Sequence, residues 1–175
     1  MWSFKRHAPG KQILGLALCL LLAACGFQPM YGKKAGGRSI AAIHQSIRIE
    51  NIPDRDGQFL RNMLLDRLND AGRPADARYV LHVAPLKKDI TNQLVQKDAT
   101  YTRALMKVST DIRLVDTVYG TTVLERPFLS SGSYNLLDNQ LATIVSRDSM
   151  TDNLLRELSD NIVTAIDLHF AKDMR

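Results

Sequence analysis

The chain is poor in the residues that staple or catalyse. Its 175 residues include two cysteines, Cys19 and Cys25, which excludes a disulfide-dense scaffold. No G-x-S-x-G, no phosphate-cradling G-x-x-x-x-G-K-[ST] and no G-x-G-x-x-G occurs. His44, His82 and His169 stand far apart and match no metal-ligand spacing. Acidic residues are scattered and single out no catalytic pair. The hydroxyl-rich "SSGS" at 130–133 lacks the nucleophile-elbow pattern and reads as a turn at a strand end. These absences leave an enzyme, a metal centre or a cofactor without positive support.

Acids are also missing from the first twelve residues, which hold Lys5, Arg6 and Lys11. From Ile13 to Ala24 the chain is apolar, too short a run for a spanning helix, which needs about 20 residues. A basic start and a short apolar run form a secretory signal peptide. The run closes Leu22-Ala23-Ala24-Cys25, which resembles the lipobox of bacterial lipoproteins. That resemblance implies a diacylglycerol thioether on Cys25 and cleavage before it, which leaves an amine that can be acylated too, by a chain such as palmitate. A disulfide is no alternative, because Cys19 lies in the segment that is removed. One acyl chain binds a membrane marginally, whereas two or three hold durably. Gly26 in place of Asp leans toward sorting to the outer membrane.

The expected organisation is a signal peptide over 1–24, a lipidated tether over 25–43 and one domain over 44–175. The tether is flexible by composition, with Gly32, Gly36, Gly37, Lys33, Lys34 and Arg38. Processing leaves 151 residues, with 20 basic against 18 acidic, a net charge of +2. The sequence pI near 9.4 therefore belongs partly to the discarded segment, and no nucleic-acid partner follows from it.

Within the domain, Ile43, Ile47, Ile49 and Ile52 alternate as a first strand. A helix follows, capped by Asp54 or Asp56, with Leu60, Met63, Leu64, Leu68 and Ala71 on one face and Gly72 and Pro74 as its stop. A second extended segment, from Arg78 to Asp98, is bent or broken near Pro85. In a third strand, Ala104, Met106, Val108, Thr110, Ile112 and Leu114 form a core face; Arg103, Lys107, Ser109, Asp111 and Arg113 form the wet one. Gly120 turns into a fourth strand whose Pro127 suits an edge. A helix over about 139–171 carries Ile144, Val145, Leu154, Leu155, Leu158, Ile162, Ile166 and Phe170 at 3.6-residue spacing. This order predicts an α/β two-layer sandwich, a mixed sheet of about four strands with two helices packed on one face.

One charged cluster has two readings. Lys87, Lys88, Lys97, Arg103 and Lys107 face only Asp89 and Asp98 and converge if the second and third strands form a hairpin near Asp98–Thr100. They are either a solvated, lysine-protected edge or a patch for an anion such as a phosphorylated lipid.

"ACGFQPMYG" at the lipidation site, "SYNLLDNQLATIVSRD" before the last helix and its ending "IDLHF" resemble the LPS-assembly lipoprotein LptE family in its alphaproteobacterial form. The element order is similar across nearly the whole processed chain. The resemblance implies a lipid-anchored protein on the periplasmic side of the outer membrane, a plug and assembly factor for the LptD β-barrel. It also implies binding of lipopolysaccharide for delivery to the outer leaflet, with no catalysis. Other periplasmic lipoproteins acting as pilotins or assembly chaperones are the alternative, and a lipid-modifying enzyme a third.

Overall fold

Period two dominates the sheet and decides which way each strand faces. The computed structural model describes residues 40–173, apart from 71, 73, 75, 95–100 and 138. Cys25, the cleavage point and Lys97 lie outside the described residues. The elements are α1 (Ile40–His44), β1 (Ile47–Ile49), α2 (Arg55–Leu68), β2 (Tyr79–Val83), β3 (Lys87–Leu94), β4 (Tyr101–Asp116), β5 (Thr121–Asn135) and α3 (Gln140–Asp173). They form a mixed α/β two-layer sandwich, five strands with helices over one face, one strand more than the sequence predicts.

The first predicted strand shrinks to three residues, because Ile43 belongs instead to α1, where it and Ile40 are buried. β1 runs parallel to β2, and α2 supplies the crossover that a parallel pair requires. α2 buries Leu60, Leu64 and Leu68, as its spacing predicts. Its ends differ from expectation. Asp54 holds the N-cap position with φ 67°, yet its side chain caps nothing. The helix stops at Leu68, where Asn69 turns its amide back to the end of α1 and the start of β1, donating to the carbonyls of His44 (3.2 Å) and Ile47 (3.1 Å).

β4 is the spine. Its partner along one edge is β5, and its other edge holds β2 and then β3, all antiparallel. Val83 pairs with Ile112 and Lys87 with Ser109, so three residues on one side span two on the other. This bulge at Ala84–Leu86 contains Pro85, which has no N–H for a ladder. Thr110, buried opposite it, donates to the Ala84 carbonyl at 2.7 Å. An extra residue reverses the faces of everything beyond it. Leu81 and Val83 look toward the helices in β2, whereas Lys88 and Ile90 take that side in β3.

Ala104, Met106, Val108, Thr110, Ile112 and Leu114 are all buried. α3 covers this face with Leu154, Leu155, Leu158, Ile162 and Ile166. Asn139 caps α3, accepting from the Leu141 amide at 2.9 Å. Ser130–Ser133 continue β5 and form no turn. A Cβ at Gly132 would lie 2.6 Å from the Met150 sulfur of α3, so a side chain there would require Met150 to shift. Ile144 and Val145, predicted on the packed stripe, are exposed. The apolar stripe continues toward the helix N-terminus past the turns that the sheet buries.

Arg78 and Asp116 brace the end of β4, with guanidinium–carboxylate distances of 3.2 and 3.1 Å. Burial pushes the Asp116 carboxyl up, but the Val118 amide, Arg78 and the Tyr119 amide outweigh it and hold it below its usual range. A depressed folded pKa contributes stability that is present above the unfolded value, about 3.9, and lost as pH falls through the folded one. The expected result is an acid-unfolding curve whose steepness below about pH 4 lessens in Asp116→Asn. Equal slopes in the two proteins would contradict this role.

Candidate functional site

The second face of the sheet is the candidate surface, because the described helices all pack on the first. β4 sends Arg103, Leu105, Lys107, Ser109, Asp111 and Arg113 to it in strict alternation; Leu105 and Ser109 are half-buried and the other four exposed. Register places Arg103 between Gln93 of β3 and Asn135 of β5, and Lys107 between Asp89 and Ser131. One row further, Lys87, Ser109 and Leu129 lie side by side across the three strands. Around that row is an open depression of about 440 Å³, lined by Lys87, Ser109, Asp111, Pro127, Phe128 and Leu129.

Charge is distributed unevenly along this face. At the end near β2, His82 contacts Glu50 at 2.8 Å, and Arg113 lies opposite Glu125 and beside Asp111. Opposite signs largely cancel there. Toward the start of β4, Arg103 and Lys107 meet Asp89 alone among the described charges of the face, an excess of one cation, and Lys87 shares its depression with Asp111.

Three of the five predicted cations therefore share one surface. Lys88 does not join them, since the bulge turns it to the helix side, where it pairs with Asp56 at 2.5 Å. Lys97 falls outside the described residues, as does Cys25. Sequence reasoning missed the depression around Lys87 and Leu129, because residues of three different strands form it through register. Leu129 carried a faint signal as a bulky apolar residue at an outward position of an edge strand; it is 59% exposed.

The fold recurs in solved bacterial lipoproteins. A Caulobacter crescentus protein classed as a lipoprotein superposes with a TM-score of 0.57 at 23% identity, covering 74% of this chain and 93% of that one. The rare lipoprotein B from Shewanella oneidensis gives 0.53 at 13%, covering 74% and 97%. A minor lipoprotein from Acinetobacter baumannii gives 0.52 at 16%, covering 72% and 94%. No protein-family model and no curated protein matches the chain. At these identities the likeness is one of fold, a two-layer sandwich shared with lipoproteins.

Proposed function

We propose that the chain is an outer-membrane lipoprotein, acylated at Cys25, that partners an LptD-like β-barrel and binds lipopolysaccharide on its way to the outer leaflet. One observation carries the reading: in a fold shared with rare lipoprotein B, a three-strand sheet face has no helix over it among the described residues. Such a face suits the inner wall of a barrel, and Lys87, Arg103 and Lys107 on it suit the phosphates of lipid A. The role is binding and assembly, with no cofactor and no bond made or broken.

Purification of the tagged full chain from outer membranes tests it. The expected result is a co-purifying barrel and a Cys25 peptide carrying the diacylglycerol thioether. Cys25→Ala should accumulate as uncleaved precursor. An unmodified Cys25, or no barrel in the purified material, would overturn the reading.

The ligand part has its own check. Exposed ion pairs contribute on the order of 0–1 kcal/mol each and fade with salt. Changing Lys87, Arg103 and Lys107 together to Gln should weaken lipopolysaccharide binding about tenfold at low salt, since about 1.4 kcal/mol is a factor of ten. The circular-dichroism spectrum should stay unchanged. Wild-type affinity in that variant would leave these residues as a solvated face.

A further inference from the structure

β5 is an edge strand. β4 is its partner from Thr121 to Asn135, and no described strand lies beyond it. The direction of its free backbone groups follows from β4. The Asp111 carbonyl accepts from the Ala84 amide at 2.9 Å, so Asp111 turns its backbone polar groups to the side of β4 away from β5. Opposed residues of an antiparallel pair exchange both hydrogen bonds or neither. Pro127, opposite Asp111, therefore directs its nitrogen and carbonyl away from β4 as well. Register runs unbroken from Pro127 to Asn135, and the direction alternates along it. The amides and carbonyls of Leu129, Ser131, Ser133 and Asn135 thus point outward, while those of Ser130, Gly132 and Tyr134 enter the ladder.

Among the described residues, nothing bonds these outward groups. Proteins guard a long edge with charge, proline or a bulge. Glu125, Arg126 and Pro127 guard the first half of β5, whereas residues 128–135 carry no charge and no proline. Ser131, Gly132 and Ser133 are small, which leaves the main chain open to close approach by another.

We propose that this unguarded half of the β5 edge takes up one further strand, an extended segment of the barrel partner that lies outside the barrel's own ladder. The inference rests on the barrel reading above and names how the two chains join. A strand within a closed barrel has both edges paired, so only a loop or a terminal segment entering the lumen has backbone groups to offer. A second copy of this chain is excluded sterically. α3 lies over β5, since a Cβ at Gly132 would meet Met150 at 2.6 Å and Leu154 at 3.4 Å, and Ser130 and Tyr134 are buried. Paired strands stand about 4.8 Å apart, whereas two packed helices need about 8–10 Å between their axes. Two copies joined by this segment would drive their α3 helices into one another. A strand with no helix above it fits. Main-chain hydrogen bonds at Leu129, Ser131, Ser133 and Asn135 supply the attachment. Beside Leu129, which is 59% exposed, the added strand also extends the open face that bears Arg103 and Lys107.

Amide hydrogen exchange at single-residue resolution tests this, on the acylated full chain alone and on its barrel complex purified from outer membranes. In the free chain, the Ser130, Gly132 and Tyr134 amides should exchange slowly and those of Leu129, Ser131 and Ser133 fast. In the complex, the second set should slow by about tenfold or more. Ser131→Pro removes an outward amide, as Pro127 already does. It should keep the wild-type circular-dichroism spectrum and recover about tenfold less barrel. Outward amides already slow in the free chain would mean that this chain fills its own edge, and they overturn the proposal. Unchanged exchange in a complex that retains its barrel overturns it too, while leaving the barrel reading intact. Wild-type barrel recovery by a folded Ser131→Pro has the same consequence; if that variant does not fold, exchange in the wild-type complex decides. A wild-type preparation without any barrel removes the barrel reading and this inference with it.

Discussion

Met106→Asp is expected to unfold the domain, whereas Lys107→Glu, one residue along the same strand, is expected to leave it folded. Met106 is fully buried beneath α3, where the Thr151 hydroxyl donates to its sulfur at 3.4 Å. A carboxylate there loses its water and finds no cation, and a buried unpaired charge is among the few mechanisms that cost more than about 4 kcal/mol. Lys107 points to the open face between Asp89 and Ser131, so a Glu gains one like-charge neighbour, a penalty of about 0.2–1 kcal/mol. Urea denaturation of the two variants checks the contrast. If both fall by the same amount, the open face is not open, and the proposed barrel and lipopolysaccharide contacts lose their surface.

Gly57→Ala should destabilise, reversing the usual sign for a helix interior. Replacing a helical glycine by alanine ordinarily gains about 1 kcal/mol. At Gly57 the new methyl would stand 2.7 Å from Ile52 Cγ2 and 3.2 Å from the Ile52 carbonyl carbon. Ile52 is fully buried, and the Gln58 amide holds its carbonyl, so neither atom can yield cheaply. Overpacking of this kind costs about 1–3 kcal/mol, which exceeds the propensity gain. Thermal melts of Gly57→Ala and of Asn62→Ala, an exposed site on α2, separate the terms. A higher melting temperature for Gly57→Ala would show that the Ile52 loop moves aside.

What the sequence determined by itself is what depends on neighbours along the chain. The two faces of β4 follow from residue types at every second position, since a strand's side chains alternate whatever it pairs with. The span of α3, the interruption near Pro85 and the edge place of β5 with Pro127 are local in the same sense. Each comes from a propensity or a missing donor that a few residues carry.

Other features depended on partners distant in sequence, and only the tertiary structure decided them. The bulge at Ala84–Leu86 puts Lys88 on the helix side, beside Asp56, and divides the predicted basic cluster. No local pattern counts the residues that β4 offers opposite. The stop of α2 at Leu68 coincides with the Asn69 amide reaching carbonyls more than twenty residues earlier, and it precedes Gly72 and Pro74. Ser130–Ser133 hold a strand because they pair in register with Leu105–Val108 of β4. Ile144 and Val145 belong to the periodic stripe and are exposed all the same. Periodicity states which side of a helix is apolar, and only the packed sheet states how far along it that side is covered.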